Sequence, residues 1–161
     1  MISIKKELTV NASQETAFRV FSQKMDLWWP RSHHVGSTPM TVMMLEPKAQ
    51  GRWYSTHQDG KECEIGFVKV FEPNSRLILV WQLGGDFSFD SKLHTEVELR
   101  FTAQGPAQTW VIFEHRNVET LGKAVEGMDR GWAMILDLYS QVAKDGKLLG
   151  DALKIYQRTS V

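Results

Sequence analysis

The segment VEGMDRGWAMILDLYSQVAK, residues 125–144, decides the fold class of this 161-residue chain. Its apolar side chains recur at spacings of three and four, which is the period of a helix with one buried face; they are Met128, Trp132, Ile135, Tyr139 and Val142. Such a helix is roughly 30 Å long and can cross a whole β-sheet. The segment therefore predicts one long helix that packs on the face of a sheet.

The residues before this helix predict the sheet itself. Residues 2–10 alternate between apolar and polar side chains, as a half-buried strand does. Ser13 is a suitable N-cap for a following helix, and a short second helix over about residues 24–29 ends before Pro30. Six strands follow from about residue 41, joined mostly by tight turns; their sequences are TVMMLE, GRWYSTH, ECEIGFVKVF, RLILVWQL, TEVELRF and QTWVIFEH.

The order β-α-α-β6-α predicts an α+β fold in which a curved antiparallel sheet wraps around the long C-terminal helix. No repeat or linker divides the sequence, so we expect residues 1–161 to form one domain. Residues 146–161 are expected to be a C-terminal extension that holds one more short helix.

Composition and charge exclude several classes of function. The 19 basic and 19 acidic residues cancel, so no overall field attracts nucleic acid. The single cysteine, Cys63, fits a reducing compartment. The N-terminal residues carry charge where a signal peptide has its apolar core, and no stretch reaches the ~18–20 apolar residues that span a bilayer. We therefore expect a cytoplasmic protein that does not insert into membranes.

A set of short motifs resembles one known family. Their order along the chain is what carries the resemblance, and they are Trp28-Trp29, Gly51-x-Trp53, Asp59-Gly60, Gly66-x-Val68 before Pro73, Arg76-Leu77 with Trp81, Phe113-x-His115 and Gly131-Trp132. Over roughly residues 1–145 the chain resembles the family named after the activator of heat-shock-protein-90 ATPase, within the START-like (SRPBCC) superfamily. The resemblance implies the helix-grip fold.

That resemblance also implies a deep apolar cavity between the long helix and the sheet. Members of the superfamily use this cavity for lipids, polyketides, hormones and aromatic compounds. Some are cyclases or aromatases, many only bind their ligand, and the founding co-chaperone binds a protein. Likeness of fold therefore leaves the activity open.

Aromatic residues from different elements are the candidates for the wall of such a cavity. An indole ring supplies a large apolar surface, and its N–H needs an acceptor when the ring is buried. The predicted ligand-binding residues are Trp28, Trp29, Trp53, Trp81, Leu99, Phe101, Phe113, His115, Trp132, Leu136 and Tyr139. The alternative is that these side chains only fill a core.

Two features of the sequence allow more than one interpretation. His115 shares a strand face with Val111 and Phe113, so it points inward, either as a hydrogen-bonded core residue or as a group that orients or protonates a ligand. Gly127 and Gly131 lie inside the helix, where each costs about 1 kcal/mol relative to alanine. They permit a close approach of backbone, they indicate a helix that starts later than residue 125, or they leave space for a ligand beside Trp132.

The stretch MDLWWPRSHH, residues 25–34, is predicted to be the rim of the cavity rather than an active site. Adjacent histidines such as His33 and His34 point in opposite directions in an extended segment, and no partner cluster completes a zinc site. No nucleophile elbow or Ser-His-Asp spacing is present. We therefore predict no metal, no cofactor and no defined catalytic residue.

Three functions follow from these observations. We expect binding of a small apolar or aromatic molecule; the alternatives are a cyclase-type enzyme that uses His115, Tyr139 or His57 as acid or base, and a co-chaperone-like interaction module. The outward side chains of two strands further predict an apolar stripe on the convex face of the sheet, and with it a homodimer; these are Ile78, Val80, Trp110 and Ile112.

Overall fold

A computed structural model describes residues 3–145 of the chain. Seven antiparallel strands form one sheet, with the helices on its concave side. The strands are β1 (Ser3–Val10), β2 (Met40–Leu45), β3 (Arg52–His57), β4 (Glu62–Glu72), β5 (Arg76–Trp81), β6 (Thr95–Ala103) and β7 (Thr109–Arg116), and the helices are α1 (Gln14–Gln23), α2 (Met25–Trp28) and α3 (Ala124–Asp145). A 3-10 turn over Val118–Leu121 leads into α3.

This arrangement confirms the fold class and the element order predicted from the sequence. The long helix begins one residue before the predicted segment and ends one residue after it. The predicted helix in residues 146–161 lies outside the described residues. Of those described, no helix is both long enough and apolar enough to cross a membrane.

The strand order β1-β7-β6-β5-β4-β3-β2 makes β1 the neighbour of the last strand in the sequence. Ser3 lies opposite Arg116, and Val10 lies opposite Thr109. The other strands pair with their neighbours in the chain, and the register shifts once in each of the pairs β2–β3, β3–β4 and β4–β5. Such bulges bend and twist a sheet, so this half of the sheet curls toward the helices.

Gly66 allows the closest approach of two strands in the curled half. It lies between Trp53 on β3 and Trp81 on β5. A Cβ atom at this position would lie 1.7 Å from the carbonyl oxygen of Val80. Only glycine fits this position, which sets the separation of the two tryptophans on either side of it.

The first two helices cover one end of the concave face. Ser13 caps α1, because its Oγ accepts the backbone N–H of Thr16 at 3.1 Å. The helix buries Ala17, Phe18 and Phe21 against the sheet and α3. The short helix α2 ends at Trp28, just before the chain turns at Pro30.

The long helix α3 closes the core. All five side chains whose spacing predicted the helix are buried. Tyr139 joins α3 to α1, because its hydroxyl donates to the carbonyl oxygen of Ala17 at 2.7 Å. The core therefore lies between the concave face of the sheet and one side of this helix.

The apolar stripe predicted on the convex face is wrong for two of its four residues. Ile78 and Val80 are buried, with 3% and 0% of their surface exposed. They lie opposite Glu98 and Glu96 on β6, and cross-strand neighbours share a face. Lys69 on β4 reaches Glu96 on β6 across the intervening strand β5, on the face that Ile78 and Val80 share.

Arg116 links the two carboxylates of this charged face. It donates to Glu96 at 2.8 Å and to Glu98 at 2.6 Å. Burial alone would raise the pKa of Glu96, but hydrogen bonds from Lys69, His94 and Arg116 outweigh burial and lower that pKa to about 2. The convex face is therefore an ion-pair network, in which Trp110 and Ile112 are only half-buried.

The hydroxyl of Tyr139 provides a test of the contact between α1 and α3. We expect Tyr139→Phe to lower the free energy of unfolding by about 1 kcal/mol, because it removes one buried hydrogen bond and keeps the ring. Urea denaturation at pH 7 measures the change. Tyr54→Phe is the matched control, since Tyr54 is half-buried and its ring lies under the guanidinium of Arg52 at 3.9 Å. Equal losses in the two variants would contradict the assignment.

Candidate functional site

Four tryptophans meet beneath the N-terminal half of α3, and we refer to them as the tryptophan cluster. They are Trp29 after α2, Trp53 on β3, Trp81 at the end of β5 and Trp132 on α3. Their ring centroids form a closed circuit, with separations of 5.8 Å (Trp29–Trp132), 5.8 Å (Trp132–Trp81), 5.6 Å (Trp81–Trp53) and 6.1 Å (Trp53–Trp29). The space expected to be a deep cavity is thus largely occupied by these rings.

A cavity of about 40 Å³ remains on the outer side of the cluster. That volume holds at most a few water molecules. Its wall is almost entirely apolar, and it is formed by Trp29, His33, Trp81, Phe87, Gly127, Met128, Gly131, Trp132 and Ile135. A second cavity of about 10 Å³ shares four of these residues, and Met43 and Ile65 also line it.

The structure decides between the interpretations of the helix glycines. The helix begins at Ala124, so a later start does not explain them. A Cβ atom at Gly131 would meet no heavy atom within 4 Å, and one at Gly127 would meet only the guanidinium end of Arg130. Close approach of backbone therefore does not explain the glycines. Both residues instead line the larger cavity beside Trp132.

Phe87 covers the cluster from the loop between β5 and β6. Its ring centroid lies 6.2 Å from that of Trp81, yet 41% of its surface is exposed. Its φ of +61° is uncommon for a bulky residue. The sequence analysis did not identify this residue, and the signal for it was an aromatic side chain shortly after the Gly84-Gly85 pair.

The buried tryptophans differ in what their indole N–H groups contact. Four of them donate a hydrogen bond: Trp28 to the carbonyl of Val20 (2.9 Å), Trp29 to that of His33 (2.6 Å), Trp81 to that of Leu83 (3.1 Å) and Trp132 to Nδ1 of His115 (3.2 Å). The N–H of Trp53 is buried and has no partner among residues 3–145. An unsatisfied buried donor costs about 1–3 kcal/mol.

His115 holds two members of the cluster in place. Because Nδ1 accepts the indole N–H of Trp132, Nε2 carries the proton and donates to Oγ1 of Thr95 at 2.9 Å. The Thr95 hydroxyl in turn donates to the carbonyl of Trp81 at 2.9 Å. Desolvation by burial lowers the pKa of His115 to about 3. His115 is therefore a neutral positioning residue with both nitrogens in use.

Three predicted site residues, Tyr139, Trp28 and Phe101, belong to a different part of the core. The Tyr139 ring lies against Phe21 and Trp28, and burial raises the pKa of its hydroxyl. Phe101 packs against Phe18. These rings lie on the α1 side of the core, where neither cavity of the cluster reaches.

The remaining predicted residues are Phe113, Leu99 and Leu136, of which Phe113 contacts a ring of the cluster. Phe113 touches Trp132, with ring centroids 4.7 Å apart. Leu99 is buried on β6 opposite Phe113. Leu136 is buried on α3 and lines a groove toward β1 rather than the cavities. The structure thus brings together Trp29, Trp53, Trp81, Trp132, Phe113 and His115.

His57 forms a buried pair with a residue that the sequence analysis missed. Its Nδ1 donates to the carbonyl oxygen of Thr38, so its Nε2 accepts the hydroxyl of Ser55, each at 2.8 Å. The signal was the strand period, since residues 55 and 57 share the inward face of β3. Neither side chain lines a cavity, and Ser55 is completely buried. The pair has the contacts of a nucleophile and its base but no access for a substrate.

Residues 25–34, predicted to be a rim, supply Trp29 and His33 to the walls of both small cavities. Trp28 packs down into the core and Trp29 joins the cluster. Arg31 is held by Asp26 at 2.7 Å, whereas His33 lines both cavities. Burial, with a smaller contribution from the charge of His34, lowers the pKa of His33. Among residues 3–145 no group of His, Cys, Asp and Glu side chains is arranged to hold a metal ion.

A curved antiparallel sheet that grips a C-terminal helix over an aromatic cavity defines a START-like, helix-grip domain. The sequence profile of the family described as Activator of Hsp90 ATPase homolog 1-like protein matches residues 11–143. The chain therefore belongs to this family, as the resemblance in its sequence predicted.

Several solved structures are similar to this one. The self-sacrificing resistance protein CalC from Micromonospora echinospora has a TM-score of 0.67 at 28% identity, over 90% of this chain and 96% of CalC. The anthrahydroquino-γ-pyrone synthase Txn09 has a TM-score of 0.62 at 25% identity, over 88% and 97% of the two chains. An Aha1 dimer from Colwellia psychrerythraea has a TM-score of 0.59 at 18% identity, over 91% of this chain and 99% of the Aha1 chain. At that identity the likeness is one of fold alone. No curated protein matches the sequence.

The low pKa of His115 predicts a pH-dependent stability. The unfolded side chain titrates near 6.5 and the folded one near 3, so between these values only the unfolded chain binds the proton. The free energy of unfolding should therefore be constant above about pH 6.5 and fall below it, by up to ~1.4 kcal/mol per pH unit. Urea denaturation between about pH 5.5 and pH 7.5 measures the slope, above the range where Glu96 contributes.

The variant His115→Gln tests whether His115 causes this change of unfolding free energy with pH. The amide can replace part of the hydrogen bonding but does not titrate, so we expect lower stability at pH 7 and a smaller slope. His33→Gln removes the share of the other histidine with a lowered pKa. A wild-type slope in the His115 variant would show that another group is responsible.

The two adjacent tryptophans of the sheet should differ in what their N–H groups contribute. Trp81→Phe leaves the carbonyl of Leu83 without its donor, whereas Trp53→Phe removes an N–H that has no acceptor. We expect the Trp53 variant to lose about 1–2 kcal/mol less unfolding free energy than the Trp81 variant. Denaturation of the two variants side by side checks this, and a greater loss for Trp53 would contradict it.

Proposed function

We propose that the protein binds a small aromatic or other apolar molecule between α3 and the concave face of the sheet, at the larger cavity beside the tryptophan cluster. The observation that carries this proposal is the missing side-chain layer at Gly127 and Gly131. Two glycines on one helical turn leave open the space opposite Trp81 and Trp29. Nothing in the packing requires a glycine at residue 131.

The stability cost of these glycines supports a role other than packing. Each glycine inside a helix costs about 1 kcal/mol relative to alanine, and a methyl group at Gly131 would meet no atom within 4 Å. Alanine would therefore stabilise the helix and also narrow the cavity. A binding site that needs the cavity open explains why these positions hold glycine rather than the more stabilising alanine.

The wall of the cavity favours an apolar guest. Rings and aliphatic side chains form nearly all of it, and the side chains of Trp29, Trp81 and Trp132 already have acceptors for their N–H groups. Burial of apolar surface contributes about 25 cal/mol per Å². Affinity would come mainly from contact with the rings, which suits a flat aromatic molecule.

Entry of such a guest requires a displacement, because 40 Å³ is far smaller than an aromatic molecule. Phe87 is the residue placed to move. It lies at the mouth, it is partly exposed, and its backbone has a positive φ. We propose that Phe87 swings away from Trp81 when the guest enters.

The comparisons support this proposal at the level of ligand chemistry. The synthase Txn09, at 25% identity, is named for an anthrahydroquino-γ-pyrone. The fold and the family are those of proteins with a ligand-binding or cyclase-type role. Carried over to this chain, they favour a polycyclic aromatic guest.

A cyclase-type reaction is the second candidate, and one observation favours it. His33 lines both cavities, and its lowered pKa keeps it neutral and able to accept a proton near pH 7. His115, Tyr139 and His57 are engaged in structural hydrogen bonds and are poor candidates. If the protein is an enzyme, His33 would be its acid or base.

The expected partners and compartment stay predictions. A homodimer through the convex face would rest on Trp110 and Ile112 alone, since Ile78 and Val80 are buried. The single free thiol of Cys63 continues to fit the cytoplasm. A protein client, as for the founding co-chaperone, is a prediction from family membership. Light scattering tests the homodimer, and a pull-down experiment tests the protein client, both separately from ligand binding.

The binding proposal is tested with a library of aromatic, flavonoid and lipid compounds. Quenching of tryptophan fluorescence and an increase in melting temperature report on binding next to the cluster. We expect hits among flat aromatic compounds, because Trp29, Trp81 and Trp132 form the wall. A library without a single hit would refute the proposal.

Gly131 provides the sharpest variants. We expect Gly131→Ala to raise the free energy of unfolding by about 1 kcal/mol and to weaken binding, and Gly131→Leu to abolish binding because its side chain fills the cavity. The reciprocal variant Ala133→Gly, on the exposed side of the same helix, should lower stability by about 1 kcal/mol and leave binding unchanged. Wild-type affinity in Gly131→Leu would show that the guest binds elsewhere.

A further inference from the structure

The unpartnered N–H of Trp53 is the one polar feature of the cluster that the fold leaves unexplained. Its ring is completely buried, and the indole N–H has no acceptor among the described residues. The other four buried tryptophans all donate to a named acceptor. Orphaned buried donors are rare in folded proteins, and each needs an explanation.

The position of Trp53 connects this donor to the proposed site. Trp53 lies on β3 between β2 and β4, which supply Met43 and Ile65 to the wall of the smaller cavity. Its ring touches Trp29 and Trp81, which line both cavities. Displacement of either ring by a guest would bring that guest next to Trp53.

We infer that the guest carries a hydrogen-bond acceptor oxygen and that Trp53 is its donor. This inference rests on the proposed function, and it narrows the ligand class from any flat apolar molecule to an aromatic ketone, pyrone or quinone. A hydrocarbon would leave the N–H of Trp53 unsatisfied in the complex as well. An aromatic carbonyl satisfies it and keeps the apolar contacts.

The surroundings specify that the acceptor is uncharged. The rings in contact with Trp53 are those of Trp29 and Trp81. His115 beneath Trp132 is neutral because both its nitrogens are in use. A carboxylate placed here would be buried without a counter-charge, which is strongly unfavourable. A carbonyl oxygen needs only the one donor that Trp53 supplies.

Fluorenone and fluorene test this directly, because they have the same three rings and differ by a carbonyl in place of a methylene. We expect the protein to bind fluorenone about 10-fold more tightly, the size of effect that one buried hydrogen bond gives. In Trp53→Phe the ratio of the Kd for fluorene to the Kd for fluorenone should fall to about one. In Trp28→Phe, the matched control with an N–H already bonded to Val20, the preference should remain.

Indole N–H signals in proton–nitrogen correlation spectra give a second readout that does not depend on a folded variant. We expect fluorenone to shift the Trp53 signal downfield and fluorene to leave that proton position nearly unchanged. Equal affinity for the two compounds, or a preference that survives in Trp53→Phe, would overturn the inference while leaving the binding proposal intact. A Trp53 signal that exchanges with a buried water and responds to neither bound compound would also overturn it. If neither compound binds and no library compound does, the proposed function itself fails.

Discussion

The hydrogen bond from Trp132 to His115 is the interaction on which the geometry of the site depends. It joins the long helix to β7, and the same imidazole continues through Thr95 to the backbone at Trp81. One buried side chain thereby sets the positions of two of the four rings. Because the imidazole is neutral and has no free nitrogen, its orientation is fixed, and so is the height at which α3 lies above the sheet. The small cavity is what remains once that height is set.

Much of the fold was predictable because its signals are local. The helical period of residues 125–144 and the alternation of β7 predicted which side chains face inward, and both predictions are confirmed. The packing between elements was not predictable in the same way. That four tryptophans converge follows from their faces, but their contact distances depend on bulges at Trp53/Tyr54 and Val68/Val70, which leave no signal in a single sequence. The face that holds Ile78 and Val80 likewise carries ion pairs that connect β4, β5, β6 and β7, which no local pattern in the sequence predicts.

The space between the long helix and the sheet is largely filled by the chain's own side chains. Here indole rings occupy most of it, and the side chains that looked suited to acid–base chemistry are used for structure. His115 orients Trp132, Tyr139 joins two helices, and His57 is closed off with Ser55. The walls of the two small cavities consist of rings, aliphatic side chains, the two helix glycines and the histidines His33 and His34.

The pairing of β1 with β7 has a consequence for how the chain reaches this structure. The first strand, β1, pairs only with β7, the last strand in the sequence. The contacts just before α1 and within it are equally remote. Ala12 is 97 positions from Thr109, and Ala17 in α1 is 122 positions from Tyr139. Contacts of such long sequence separation make folding slow. On the ribosome, β1 emerges early but lacks its neighbour until β7 has been synthesised, and Ala17 in α1 lacks its contact until Tyr139 in α3 has been synthesised. Completion of the fold therefore waits for β7 and α3, and until then β1 and the apolar face of α1 stay open to chaperones.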